Sequence, residues 1–141
     1  MITAVDTNIL LDILLPDENF FALSSRALEE AATAGSLVIC DLVYAELCVH
    51  FETQSECDEF LAENDIGIEP VGKPAGFLAS RAWRGYRKQG GKGTRILADF
   101  LIGAHAQLQA SQLLSRDRGF YQSMFPSLQL FDPTSLRRTT E

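Results

Sequence analysis

The chain contains 141 residues with a mass of 15.6 kDa, a length typical of one domain. Its 46% hydrophobic and 22% charged residues match ordinary globular usage and argue against a disordered or fibrous protein. Three cysteines without close pairing favour a reducing cytoplasm over a secreted disulfide scaffold, and no run approaches the roughly 20 apolar residues of a membrane span. We therefore expect one cytoplasmic domain covering residues 1–141, with no membrane segment.

Strand-like and helix-like segments alternate along the chain. Short apolar or β-branched runs predict strands at 2–5, 37–40, 66–71, 112–115 and 128–131. Helical periodicity predicts helices at 8–15, 20–34, 41–51, 55–64, 74–88 and 97–110, and a helical turn at 118–123. Asp41 is the predicted N-cap of the third helix. This order predicts an α/β fold, an α/β/α sandwich built on a mostly parallel five-stranded sheet.

The charges are distributed unevenly along the chain. Residues 1–69 contain 15 acidic residues and one basic residue, whereas residues 70–98 contain seven basic residues and no acidic one. On the fifth predicted helix, Arg81, Arg84 and Lys88 share one face. Two interpretations are open for this face. It could follow a line of phosphate groups, or it could be solvated or paired with the acidic amino-terminal half.

Four carboxylates are placed where the predicted strands end. Asp6 follows the first strand, Glu46 lies just over one turn into the helix after the second, and Asp117 follows the fourth. Asp99 lies in the first turn of the helix that precedes the fourth strand. Because the carboxyl ends of parallel strands meet at one edge, we expect all four acids near that edge. Their mutual repulsion then needs a basic side chain, raised pKa values or a divalent cation to offset it.

An all-oxygen site without histidine or cysteine suits Mg²⁺ or Mn²⁺ and not Zn²⁺. A magnesium ion held by carboxylates usually completes its coordination with water and with phosphate oxygens of a substrate. The chemistry that such a site serves best is the metal-assisted hydrolysis of a phosphodiester.

Four segments of the chain resemble the motifs of PIN-domain ribonucleases. These segments are AVDTNILLD, DLVYAEL, ADFLIGAHA and LLSRDRGFY, and the likeness extends over the whole chain. Within that group, the length and the order of elements look most like the VapC-type toxins of bacterial toxin–antitoxin modules. The resemblance implies an endoribonuclease dependent on Mg²⁺ or Mn²⁺, acting on single-stranded or loop RNA. It also implies a homodimer, and inhibition by a small cognate antitoxin that blocks the active groove.

The resemblance also implies roles for individual residues. By position, the four catalytic and metal-binding acids are Asp6, Glu46, Asp99 and Asp117. Asn8 matches the asparagine that supports the first acid, and Ser115 stands where relatives have Thr, Ser or Asn near the last one. Many relatives carry a further acid two residues after the fourth, where this chain has Gly119. One or two metal ions are therefore both compatible with the sequence.

Two basic residues lead towards the third acid. Lys92 and Arg95 follow the fifth predicted helix and are the candidate contacts to RNA phosphates.

Two other functions are compatible with an α/β chain of this kind. A non-catalytic PIN-like scaffold would bind RNA or protein, but the four retained acids argue against it. A phosphotransfer or phosphatase domain needs a lysine after a later strand, and none follows the fourth strand.

Overall fold

The structure is a computed structural model that describes residues 1–90 and 95–139, with side chains up to Leu136. The strands are β1 (Ile2–Val5), β2 (Ser36–Ile39), β3 (Ile66–Ile68), β4 (Gln112–Leu114) and β5 (Leu130–Phe131). The helices are α1 (Thr7–Leu14), α2 (Phe21–Ala34), α3 (Asp41–Cys48), α4 (Gln54–Glu63), α5 (Lys73–Lys88), α6 (Leu97–Gln109) and α7 (Arg118–Met124). A 3₁₀ helix (Pro133–Thr139) follows β5.

The five strands form one sheet in the order β3-β2-β1-β4-β5, and every neighbouring pair is parallel. The chain first builds outwards from β1 through β2 to β3, and then returns to the other side of β1 to add β4 and β5. The order therefore reverses between β1 and β4, and ligands of open parallel sheets bind outside the carboxyl ends of the strands at such a point. The predicted α/β/α sandwich is confirmed, and the sheet is parallel throughout.

Burial explains why these short segments form strands. Thr3, Ala4 and Val5 of β1, and Leu113 and Leu114 of β4, are all at most 3% exposed. Strands that carry no polar face are stable only when helices cover both sides of the sheet. Helix α2 packs against β2, and helix α6 packs against β4. The two central strands are thus held rigidly where the sheet order reverses.

An aromatic cluster joins the last helices to each other. The fully buried ring of Phe100 contacts the rings of Tyr86, Phe120 and Phe125, with centroids 5.5, 5.2 and 6.3 Å away. Gly103 lies about one helical turn after Phe100 on α6, and a β-carbon at Gly103 would lie 2.5 Å from the Phe125 ring. The missing side chain at this position therefore lets α6 and the segment after α7 approach closely.

The predicted N-cap of the third helix is wrong. Cys40 occupies the cap position and Asp41 is already the first helical residue of α3. The Asp41 carboxylate instead accepts a hydrogen bond from the main-chain N–H of Val71, beyond β3. A long-range partner has thus replaced the local capping bond that the sequence favours.

In the described parts of the chain, no helix combines the length and apolar character needed to cross a bilayer.

Candidate active site

The site lies at the carboxyl ends of β1 and β4. Asp6 directly follows β1, and its main-chain N–H donates to the carbonyl of Leu114 at the end of β4. Ser115 and Asp117 continue from β4 on the same edge. This pairing brings together two chain segments about 110 residues apart, which the order of the sheet requires.

Asp6 is the most buried of the four predicted acids, with 6% of its surface exposed. Its Oδ1 accepts the N–H of Thr7 at 2.8 Å, and its Oδ2 accepts the hydroxyls of Ser115 at 2.7 Å and Tyr121 at 3.0 Å. Burial raises the pKa of this carboxyl above its usual value, and the nearby charge of Glu46 raises it further. Because burial disfavours the ionised carboxylate, a cation close to Asp6 would stabilise its ionised form.

Asn8 and Ser115 form the hydrogen-bonded frame around Asp6. The Asn8 amide nitrogen lies 3.4 Å from Asp6 Oδ2 and 3.3 Å from the Ser115 hydroxyl, and its oxygen accepts the main-chain N–H of Arg116. The Ser115 hydroxyl also accepts the N–H of Asp117 at 3.0 Å. These contacts orient the Asp6 carboxylate and fix the loop after β4 in a single network.

Glu46 joins the site through Thr7. The Thr7 hydroxyl donates to Glu46 Oε1 at 2.6 Å, while the Thr7 N–H donates to Asp6. Thr7 therefore bridges the first helix and α3, and it holds an exposed carboxylate beside a buried one. Thr7 is not among the site residues predicted from the sequence, although its position directly after Asp6 is the signal that could have indicated it.

Asp99 and Asp117 complete the group around Tyr121. The pKa of the Tyr121 phenol is raised mainly by burial, and further by the charges of Asp6, Asp99 and Asp117. The charges of Asp99 and Asp117 therefore act on the same phenol that donates a hydrogen bond to Asp6. Asp99 Oδ2 also accepts the main-chain N–H of Ile96 at 3.1 Å, which ties it to the start of α6.

Arg95 neutralises Asp117 directly. Its guanidinium donates to both carboxylate oxygens, at 2.5 and 3.2 Å, and lies 4.3 Å from the centroid of the Phe120 ring. The hydrogen bond to Asp117 raises the pKa of Arg95. The predicted phosphate contact thus has a carboxylate partner inside the site. Lys92, the other predicted phosphate contact, lies outside the described residues.

A buried ion pair that the sequence analysis missed supports the loop after β4. Arg116 donates from Nε and Nη2 to the two oxygens of Asp12, at 2.7 and 2.9 Å, and Asp12 is 4% exposed. Ser24 of α2 donates to the same carboxylate, and the Phe20 ring lies 4.0 Å from the guanidinium carbon. The signal in the sequence was a single acid within the apolar run NILLDILL, where a charge is costly without a partner.

The donor set fits a hard divalent cation chemically. All four acids offer oxygen, and in the described residues Glu46 Oε2 and Asp99 Oδ1 accept no hydrogen bond from the protein. As the side chains stand, no three acid, histidine or cysteine groups among residues 1–90 and 95–139 are close enough to hold one ion together. Binding would thus require rotation of side chains such as Glu46 and Asp99, whereas Asp117 is bound by Arg95. Gly119 leaves open space where relatives carry another acid.

Comparisons with known proteins identify the fold. The chain is similar to one in the structure of VapBC2 from Rickettsia felis bound to a promoter DNA fragment, with a TM-score of 0.70 and 19% identity over 94% of this chain and 98% of the other. It is also similar to a chain of VapBC-1 from nontypeable Haemophilus influenzae (TM-score 0.70, 19% identity, 95% and 99% covered). A third likeness is to a toxin–antitoxin complex from Klebsiella pneumoniae (0.61, 22%, 93% and 97%).

Comparison with curated protein sequences found no significant match. The sequence profile of the PIN domain, in contrast, matches residues 3–124, from β1 to the end of α7. That span contains every acid of the site and the whole of its hydrogen-bonded frame. The profile and the fold agree, and the chain belongs to the PIN domain family.

Proposed function

We propose that this protein is a metal-dependent endoribonuclease that acts as the toxin of a toxin–antitoxin pair. The observation that carries the proposal is the gathering of carboxylates from four separate elements where the sheet order reverses. Tyr121 donates to Asp6 and also feels the charges of Asp99 and Asp117, and Thr7 links Glu46 to Asp6. A cluster of this kind has little structural value by itself, because like charges brought together reduce stability.

The ion is proposed to be Mg²⁺ or Mn²⁺. Asp6 and Asp99 are the first candidates to hold it, and Glu46 and Asp117 complete the anionic pocket. When bound, such an ion supplies Lewis acidity that lowers the pKa of water and offsets charge on the attacked phosphate. Asn8 and Ser115 keep the Asp6 carboxylate oriented, through the hydrogen bonds that both make to its Oδ2.

The proposed substrate is single-stranded or loop RNA, cut by in-line hydrolysis of a phosphodiester. Arg95 is placed to contact a phosphate while it remains bound to Asp117, because its guanidinium has five N–H donors in a planar fork. Lys92 is proposed as a second phosphate contact on sequence grounds alone. The likeness to chains of VapBC and toxin–antitoxin complexes supports a small antitoxin as the protein partner. The family resemblance adds a homodimer to the proposal, and the three cysteines without close pairing add a cytoplasmic location.

The test is cleavage of RNA by the purified protein with Mg²⁺, with Mn²⁺ and with EDTA. We expect cleavage with either ion and none with the chelator. Asp6→Asn should reduce the rate by about a hundredfold or more, because the neutral amide loses most of the attraction for the cation. Glu59→Gln, an exposed acid of α4, is the matched control and should retain the wild-type rate. Far-UV circular dichroism checks that both variants fold.

Two outcomes would contradict the proposal. Cleavage that resists EDTA, or an Asp6→Asn variant with the wild-type rate, would remove the metal-dependent mechanism. Tight RNA binding by a protein that cuts under none of these conditions would instead support the non-catalytic scaffold.

A further inference from the structure

The exposed face of α5 carries an open groove of about 580 Å³ that lies outside the acidic site. Its lining residues are Ser80, Arg81, Trp83, Arg84, Arg87 and Lys88. Four of the six are cations, although the chain as a whole has a formal net charge of −7. We define this set of six residues as the basic groove.

Among the described residues, no carboxylate forms an ion pair with a cation of the basic groove. Among the residues that the structure describes, the two ion pairs are Arg95–Asp117 and Arg116–Asp12. The cations of α5 therefore do not pair with the acidic amino-terminal half within these residues, which leaves a solvated face or a line of phosphate groups as the two interpretations. Four unpaired cations on about two turns of helix produce a local positive potential that attracts a polyanion.

Aromatic rings give the basic groove flat stacking surfaces as well as charge. The guanidinium carbon of Arg87 lies 5.0 Å from the Trp83 ring centroid, and that of Arg81 lies 4.6 Å from the centroid of the exposed Phe77. Nucleobases of single strands stack on aromatic rings and on guanidinium planes alike. The carboxylates of an acidic polypeptide would use the charges but not these planes, whereas every nucleotide of a single strand carries both a phosphate and a base.

The basic groove is connected to the acidic site through packed rings. Tyr86, on the same helix, contacts Phe100, Phe100 contacts Phe120, and Phe120 lies beneath Arg95. From Arg81 to Lys88 the helix rises about 10 Å, which corresponds to roughly three nucleotides of a stacked strand. Helix α5 also packs directly against α6, so a strand bound at α5 lies on an element in contact with the helix that carries Asp99.

We propose that the basic groove is a second RNA-binding site, which holds a single-stranded stretch of the substrate next to the stretch that is cut. This inference rests on the proposed function for the identity of the strand, but not for its binding. In this site, Arg84 and Arg87 contact phosphate groups of the strand, and Trp83 stacks on one of its bases. Catalysis on a very short substrate should not need it.

Trp83 is the only tryptophan of the chain and reports on the groove directly. In EDTA, so that nothing is cut, a short oligouridylate is titrated into the full-length protein while tryptophan fluorescence is recorded. We expect quenching that saturates, and weaker binding as salt rises. If about three phosphates are contacted, log K should fall with log salt at a slope near −2, from about −0.7 for each contact to a single strand.

Arg84→Gln/Arg87→Gln tests the residues that carry the proposal. This double variant should bind the oligonucleotide about tenfold more weakly at low salt, and its salt slope should be smaller by about 1.4. Lys73→Glu is the matched control, because it changes the net charge by the same amount at the exposed start of the same helix. It should keep both the quenching and the slope.

The readouts separate this inference from the proposed function. If RNA binds at the basic groove but is cut under no condition, the proposal of a second RNA-binding site stands and the proposal of a nuclease is contradicted. Cleavage in which the double variant keeps the wild-type KM for long RNA would retain the nuclease and overturn the groove. Quenching by polyglutamate as strong as by RNA would overturn it in favour of an acidic protein segment. A change of sedimentation coefficient in the double variant would overturn it in favour of a contact between copies.

Discussion

At the scale of residues, the site contains a cation that the chain itself supplies, the guanidinium of Arg95. Asp117 is bound through both of its oxygens by Arg95, and each of these side chains is about one-third exposed. A guanidinium and a divalent ion compete for the same lone pairs. With Gly119 in place of a further acid, Arg95 thus limits how many oxygens the site offers to a metal.

Arg95→Ala should bind Mn²⁺ more tightly than the wild type. Removal of a partly exposed salt bridge frees both oxygens of Asp117, and we expect an affinity gain of about three- to tenfold, equivalent to about 1 kcal/mol. Isothermal titration calorimetry with Mn²⁺ measures the change. Arg118→Ala is the control, because Arg118 adjoins Asp117 and forms no ion pair within the described residues. Equal gains in both variants would show that only the general charge matters.

A second residue-scale feature is the buried histidine of α6. His105 is 1% exposed, and its Nε2 has no hydrogen-bond partner in the described residues. Burial lowers the pKa of His105 below its usual 6.5, against the effect of a hydrogen bond to the main chain of Glu69. The folded protein therefore takes up this proton at lower pH than the unfolded chain. Its contribution to stability is complete above pH 6.5 and decreases as the pH falls below that value.

His105→Leu should flatten the acid side of the stability curve. In the wild type, the free energy of unfolding should fall below pH 6.5, by at most about 1.4 kcal/mol per pH unit for one proton. Urea unfolding at a series of pH values measures the slope. His50→Gln, at an exposed histidine, serves as the control with an unchanged slope. A slope that His105→Leu leaves intact would place the titrating group elsewhere.

At the scale of elements, the aromatic cluster joins the helices that carry Asp99 and Tyr121. Phe100 is central, since its ring contacts residues of α5, of α7 and of the segment after α7. Gly103 permits this packing, because a β-carbon at that position would lie 2.5 Å from the Phe125 ring. The orientation of the acidic site therefore depends on close contact between α6 and Phe125.

Gly103→Ala should destabilise the protein, although alanine usually favours a helix over glycine. The added methyl must displace the Phe125 ring, and overpacking of this kind typically costs about 1–3 kcal/mol. Thermal unfolding measures the effect. Gly119→Ala is the control, because nothing lies within 4 Å of a β-carbon there and α7 should tolerate it or gain stability. If both variants melt alike, the contact at Gly103 is not tight in solution.

Much of this architecture is predictable from the sequence, because its signals are local. The apolar runs and helical periods place every strand and α-helix apart from a few terminal residues, but they do not predict the 3₁₀ helix Pro133–Thr139. The positions of Asp6 and Asp117 are also predictable, since both follow parallel strands, whose carboxyl ends lie at one edge of the sheet. Ion pairs are not, because they depend on side chains that meet only after folding. Arg95 pairs with Asp117 across 22 positions, and Arg116 with Asp12 across 104.

At the scale of the whole molecule, acidic and basic surfaces have separate positions. The carboxylates collect where β1 and β4 end, and the unpaired cations lie on α5. This separation suits a protein that must bind a polyanion firmly and still place one phosphate beside a cluster of negative charge. A uniform surface of either sign would achieve only one of the two.

Expression of the protein alone should arrest the growth of a bacterial host, whereas Asp99→Asn at the same protein level should not. The reason is that arrest, as proposed, requires cleavage of cellular RNA and hence the complete acidic site. Growth curves after induction, with immunoblots to match protein levels, measure this. Glu59→Gln should be as toxic as the wild type. Normal growth with abundant wild-type protein would argue for a scaffold or for a nuclease that is not a toxin.

The order of the sheet also determines when the molecule can become active during its synthesis. The ribosome makes β1 first, but the strand that pairs with it on the side of the site is β4, near the other end of the chain. Until Ser115 and Tyr121 have left the exit tunnel, Asp6 lacks two of its hydrogen-bond donors and β1 lacks a neighbour. A nascent or prematurely terminated polypeptide therefore lacks the assembled acidic site on which the proposed cleavage of RNA depends.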